Sequence, residues 1–281
     1  MRELAPGKIN LCLYLGPARE KDGRHALVSV MQSVTLADEL TMEPAPGAPG
    51  DEVLCAGVDG PNLALDALRE FRAATGWAGP PQRITIAKRV PVAAGMGGGS
   101  GDAAAALRLA ARAAGLRDDA LLRAIAERLG ADVPAQVRPG RVLATGAGER
   151  VRAIGSVPAL GVLVLASEHA LSTADVYREA DRLGLARAAG ELAAREAELA
   201  RAMAAGAPIA PVNDLEPAAR SLQPAIDGAL ERVREAGADA AMVSGSGPTV
   251  VGLFHGEDGP QRARAAAPGL PGAVACEAVR A

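Results

Sequence analysis

The chain has almost no aromatic side chains. Two Tyr, two Phe and one Trp make up 2% of its 281 residues, although 49% of the residues are hydrophobic. A sizeable core must therefore be built from Ala, Val, Leu and Ile. Cysteine is scarce as well: Cys12, Cys55 and Cys276 lie far apart, with no C-x-x-C pair. That spacing excludes a zinc site of the paired-cysteine kind and argues against a disulfide framework. No apolar run approaches the ~20 residues of a membrane span. The opening Met1-Arg-Glu-Leu-Ala-Pro-Gly-Lys8 has no apolar signal-peptide core. A soluble, cytoplasmic protein without a membrane partner is expected. Formal net charge is -3 and no basic block stands out, so nucleic acid is not expected as a partner. Both common nucleotide signatures, G-x-x-x-x-G-K-[ST] and G-x-G-x-x-G, are missing, which disfavours a P-loop NTPase and a Rossmann dehydrogenase. Lysine is rare: of 30 basic residues, only Lys8, Lys21 and Lys88 are lysines. Lys21 sits in a polar turn and reads as solvated. Lys8 and Lys88 flank apolar or glycine-rich segments, where a compact ammonium is the sharper reading and ordinary surface charge the blander one.

What the chain has is glycine at one place. The segment Pro91-Val-Ala-Ala-Gly-Met-Gly-Gly-Gly-Ser-Gly-Asp-Ala-Ala104 follows a strand-like run, residues 83–90, and leads into an alanine-rich helical pattern at 102–114. Strand, glycine segment and helix start together turn backbone N–H groups and the helix dipole towards one point, an anion site. Side chains would keep a phosphate from the backbone, so glycine is the residue type such a site needs. The segment reads as the triphosphate cradle of a nucleotide-using enzyme, with a flexible turn as the alternative. Elsewhere, strands are expected at 8–15, 25–36, 39–43, 141–145, 150–154 and 160–167. Helices are expected at 62–74, capped by Asn62, and at 118–129, ending at Gly130. The charged stretch 174–204 reads as one or two solvated helices, 223–236 as another, and 240–243 with 249–254 as hairpin strands. Strands and helices do not alternate strictly, so an α+β fold is favoured. The best boundary is near residue 155, giving an ATP-binding domain over 1–155 and a second domain over 156–281.

Seven ordered blocks carry a resemblance over nearly the whole chain. They are Ala5-Pro-Gly-Lys-Ile-Asn-Leu11, Asp22-Gly-Arg-His25, Asn62-Leu63, Gly95-Met-Gly-Gly-Gly-Ser-Gly-Asp-Ala-Ala104, Gly130-Ala-Asp-Val-Pro134, Asn213-Asp-Leu-Glu-Pro217 and Ser244-Gly-Ser-Gly-Pro-Thr249. Together they resemble the GHMP kinase superfamily, and within it the branch acting on 4-diphosphocytidyl-2-C-methyl-D-erythritol. The resemblance implies a two-domain kinase with its active site in the cleft between domains, using ATP and Mg²⁺ on a small-molecule acceptor. It implies Asp132 as catalytic base and Lys8 as its cationic neighbour. Such an ammonium keeps the carboxylate ionised and offsets phosphoryl charge. It further implies Asn62, Leu63 and Lys88 at the adenine, and Gly95, Gly97, Gly98, Gly99, Ser100 and Gly101 around the phosphates. Asn10 falls near the acceptor hydroxyl, and His25 and Tyr177 fall at a cytosine head. The bland readings are a turn or cap for Asp132, core for Leu63 and a helix-face ring for Tyr177. Three positions depart from the family pattern: Arg24 replaces a tyrosine, Gly101 a serine and, a minor change, Gly7 an alanine. Arg24 leaves open a sister kinase of homoserine or mevalonate type; Gly101 leaves open a silent nucleotide-binding paralogue. A monomer or weak homodimer is expected.

Overall fold

The computed structural model describes residues 1–58, 60–92, 94–153 and 158–280. In chain order the elements are β1 (Arg2–Ala18), β2 (His25–Pro44), β3 (Glu52–Cys55), α1 (Leu63–Thr75), β4 (Gln82–Ala87), α2 (Gly98–Ala113), α3 (Asp119–Leu129) and α4 (Val133–Gln136). There follow β5 (Arg141–Thr145), β6 (Arg150–Ala153), β7 (Leu160–Leu165), α5 (Thr173–Arg182), α6 (Ala189–Ala204), β8 (Val212–Asn213) and α7 (Glu216–Leu222). The last are α8 (Ala225–Glu235), β9 (Ala240–Val243), β10 (Val250–His255), α9 (Gly259–Ala266) and β11 (Ala273–Glu277). The α+β expectation holds. Among the described residues no helix is long and apolar enough to cross a membrane.

Two compact units interleave along the chain. Unit 1 comprises Met1–Gly7, Leu36–Pro91 and Gly97–Pro139; unit 2 comprises Lys8–Thr35, Val92–Met96 and Gly140–Ala281. Strands β1 and β2 run from one unit into the other. The boundary expected near residue 155 falls outside the described residues.

In unit 1 the second half of β2 pairs antiparallel with β4, Thr41 opposite Thr85, and β3 lies parallel to β4. Helices α1 to α3 pack on this layer. The apolar side chains of α1, Ala64, Ala67, Leu68 and Phe71, recur at helical spacing and all are buried. Asn62 accepts from the Ala64 amide at 2.9 Å, and Gly76 closes the helix in the left-handed conformation. The few aromatics cluster: Phe71 meets Trp77 edge-on at 5.8 Å, and Arg72 lies over the indole at 4.4 Å. Alanine lets α2 sit close to its neighbours, with Ala103 to Ala106 fully buried.

In unit 2 the first half of β2 pairs with β5, Val30 opposite Leu143. Strand β8 lies parallel to β1, Leu13 opposite Asn213. A separate antiparallel sheet runs β11-β7-β10-β9. Helix α8 buries Ile226, Leu230 and Val233 at helical spacing, and they join Leu163, Val250 and Phe254 in the unit's core. Burying each such side chain contributes roughly 1.5–3 kcal/mol.

Several elements differ from expectation. The strand expected at 8–15 spans Arg2–Ala18, and those expected at 25–36 and 39–43 form one continuous strand. Helix α2 begins at Gly98 rather than at residue 102. The charged stretch forms two helices, α5 and α6.

Candidate active site

The glycine segment is non-helical at Gly95 and Gly97 and helical from Gly98 on, a turn that leads directly into a helix start. Gly97 is the N-cap of α2, with φ of 64°, and Gly98 to Gly101 form the first turn. No side chain caps that turn, so its leading amides point along the axis, where the dipole also favours an anion. Gly99 is exposed, and a Cβ there would meet only Leu63 Cδ1, at 3.9 Å. Leu63 and Gly99 thus border the same open space. A Cβ on Gly101 would lie 2.8 Å from the Pro6 carbonyl oxygen, which gives Gly101 a steric reason of its own. Three glycines in one turn cost roughly 1 kcal/mol each relative to alanine, so something else must hold the turn.

Lys88, Asp38 and Asp102 lie directly beneath it. Lys88 Nζ donates to Asp38 Oδ2 at 2.5 Å and to Asp102 Oδ2 at 2.9 Å. Asp38 is fully buried, and its other oxygen accepts from the Arg89 and Val90 amides at 2.5 and 2.8 Å. Asp102 is 4% exposed, and its Oδ1 is buried without a hydrogen-bond partner. Burial raises the Asp102 carboxyl from 3.8 to about 6; Lys88 opposes the shift and the Asp38 carboxylate adds to it. Burial lowers the Lys88 ammonium, but its two carboxylates outweigh that and raise it overall. Lys88 was expected at the adenine. Its ammonium bonds to two carboxylates that sequence reasoning did not single out. Asp102 lies within one of the seven blocks; Asp38 lies in none.

Asp132 stands at the N-cap of α4 and makes no side-chain capping bond there. This helix is a single turn and owes its place to its neighbours. Gln136 Nε2 donates to Pro6 O at 2.8 Å. Arg108 donates to Gln136 O at 2.6 Å, to Leu4 O at 2.8 Å and to Glu3 Oε1 at 2.9 Å.

Unit 2 brings Lys8, Asn10 and Gly95 together. Lys8 is 5% exposed; its ammonium donates to Asn10 Oδ1 at 2.9 Å and to Gly95 O at 3.0 Å. Asn10 Nδ2 donates to Ser29 Oγ at 2.7 Å. The turn after β9 passes over this group: a Cβ on Gly245, whose φ is +59°, would lie 3.3 Å from Asn10 Oδ1 and 3.4 Å from Lys8 Nζ. Asn213 Nδ2 holds that turn through Val243 O and Gly245 O, at 2.9 and 2.7 Å. Glu216 accepts from the Val243 amide at 2.9 Å. The block Asn213–Pro217 therefore braces the turn, a role sequence reasoning did not assign. His25 and Tyr177 also come together, with ring centres 5.5 Å apart. His25 Nδ1 faces Gly16 O at 2.8 Å, and Nε2 lies 3.1 Å from Asp181 Oδ1. Arg24 is exposed and reaches Ala147 O at 3.4 Å.

No group of three or more His, Cys, Asp or Glu among the described residues is arranged to hold a metal ion.

Residues 62–140 match the model of the GHMP kinases N terminal domain, and residues 175–269 that of GHMP kinases C terminal. A 4-diphosphocytidyl-2-C-methyl-D-erythritol kinase of an Anaeromyxobacter species is 39% identical over 94% of this chain and 85% of its own length. One from Streptomyces coelicolor is 42% identical over 88% and 85%. A crystal structure of 4-(cytidine 5'-diphospho)-2C-methyl-D-erythritol kinase matches with a TM-score of 0.79 at 33% identity, covering 99% of both chains. The homoserine kinase of Cytophaga hutchinsonii shares the fold, with a TM-score of 0.72, at only 14% identity. The chain belongs to the GHMP kinase family and is an ATP-dependent small-molecule kinase.

Proposed function

We propose that the enzyme phosphorylates the 2-hydroxyl of 4-diphosphocytidyl-2-C-methyl-D-erythritol, a step of non-mevalonate isoprenoid precursor synthesis. The observation that carries this reading is the set of relatives of that name, about 40% identical over nearly the whole chain. His25 and Tyr177, the two side chains expected at a cytosine head, lie together with ring centres 5.5 Å apart, which is consistent with that reading. Sister kinases match at 11–19% identity, a likeness of fold alone.

Phosphoryl transfer is mostly positioning and charge compensation. The amides of Gly98, Gly99 and Ser100 would receive the triphosphate, with Leu63 beside the nucleotide. Asp132, at the N-cap of α4, would take the hydroxyl proton. Lys8 would supply compensating positive charge, steered by Asn10 and Gly95 O. Mg²⁺ would neutralise the phosphate oxygens. Gly101 in place of serine removes one hydroxymethyl group and leaves every other group of this scheme present, which argues against a silent paralogue.

The test is a transfer assay with ATP, Mg²⁺ and 4-diphosphocytidyl-2-C-methyl-D-erythritol, run beside homoserine and mevalonate. Turnover on the cytidine substrate alone is expected. Turnover on another acceptor, or on none, overturns the reading.

A further inference from the structure

We infer that Asp38, Lys88 and Asp102 form a positioning clamp for the first turn of α2, and that Lys88 acts on nucleotide binding through Asp102 rather than as a ligand. The inference rests on the reading that this turn receives the polyphosphate. The turn contains three glycines and its N-cap, Gly97, offers no side chain, so its own sequence does not keep the amides in place. The clamp supplies what is lacking. Lys88 Nζ would stand 3.3 Å from a Cβ on Gly98, directly below the turn. From there it reaches Asp102 on α2 and Asp38 on β2, at 2.9 and 2.5 Å. Asp38 in turn fixes the chain leaving β4 through the Arg89 and Val90 amides. Three separate stretches of unit 1 are thus joined at one ammonium.

The ammonium is committed to this task. Two of its three donors are bonded to carboxylates, and its side chain is only 16% exposed. Burial of two carboxylates about one ammonium is costly unless the geometry holds. A cluster of this kind is a poor choice for a mobile ligand-binding side chain. It suits a fixed joint, because moving any member leaves an unpaired buried charge.

A double-mutant cycle separates clamp from ligand, with ADP as the probe and titration calorimetry as the readout. Lys88→Met, Asp102→Ala and the double variant are compared with the native enzyme. A clamp predicts that Lys88→Met alone weakens ADP about tenfold or more, yet changes affinity by less than about twofold once Asp102→Ala has cut the link. KM for the acceptor stays within about twofold throughout, since the clamp belongs to unit 1 and the acceptor residues Asn10, His25 and Tyr177 to unit 2. Equal losses in both backgrounds make Lys88 a direct ligand and overturn the inference. Should Lys88→Met not fold, Asp102→Asn is compared with Asp102→Ala. Asparagine keeps an acceptor for the ammonium and restores ADP affinity; equal affinities of the two variants overturn the clamp. Gly99→Phe fills the space over the turn. ADP binding that survives it removes the nucleotide-site reading and the clamp together. ADP binding lost in Gly99→Phe, with an additive cycle, removes the clamp alone.

Discussion

Asp102→Asn should stabilise the protein, and more so at alkaline than at acid pH. The change removes one buried charge and keeps the shape. Burial holds the Asp102 carboxyl at about 6 instead of 3.8. A folded-state value above the unfolded one means that the native protein prefers the neutral acid. The stability this group contributes is therefore complete below about 3.8 and is lost as pH rises through about 6. At 1.36 kcal/mol per unit, the charged form costs about 3 kcal/mol at pH 8 and roughly half of that at pH 5. Asparagine carries no such charge, still accepts from Lys88, and presents an N–H₂ to the Asp38 carboxylate. For a chain of this size the pH 8 gain corresponds to roughly 6–10 °C in Tm. Melting curves of both proteins at pH 5 and pH 8, followed by circular dichroism, measure it. An asparagine variant no more stable than native at pH 8, or an advantage that does not shrink on acidification, refutes the reasoning.

Asp132→Asn is expected to lower kcat about 10²- to 10⁴-fold while ADP binding stays within about twofold, since Asp132 lies outside the nucleotide turn; an unchanged kcat removes Asp132 as base. Gly101→Ala puts a methyl group 2.8 Å from the Pro6 carbonyl. Because backbone rather than a flexible side chain is struck, a loss of about 1–3 kcal/mol is expected in urea unfolding, and an unchanged midpoint contradicts it. Cys12 is buried, and burial pushes its thiol up to about 12. Iodoacetamide at pH 8 should label partly exposed Cys55 and Cys276 first and reach Cys12 only after unfolding; peptide mass spectrometry of native protein reads this directly.

Local chemistry makes some elements legible in the sequence alone. Asn62 and Gly76 bracket α1, and Asp118 and Gly130 bracket α3, because caps satisfy end groups that every helix must satisfy. The long strands are harder to read. In β1 every residue from Ala5 to Gly16 is buried, so the alternation that marks a half-exposed strand is absent. Strands β3 and β8 have four and two residues, too short for any period to register. Helix α7 begins inside Asn213-Asp-Leu-Glu-Pro217, where proline at its second position hides it.

The site divides along the same line. Glycine propensity alone makes Gly98–Gly101 a loop, and the structure makes it a helical turn that charges from distant positions support. Asp38 lies 50 residues from Lys88 and Asp102 14 residues from it, so no local pattern announces the joint. One compositional signal does point there. In a chain that otherwise uses arginine, two of the three lysines are the ones withdrawn from solvent: Lys8 in a cage of Asn10 Oδ1 and Gly95 O, and Lys88 between two carboxylates. Lys21, the third, is exposed. A guanidinium spreads its donors over a planar fork, whereas an ammonium directs its three donors tetrahedrally from a single atom, the arrangement both places use. Lysine persists where that arrangement is used. By that argument Lys88→Arg, though it keeps the charge, should disturb the first turn of α2 as Lys88→Met does.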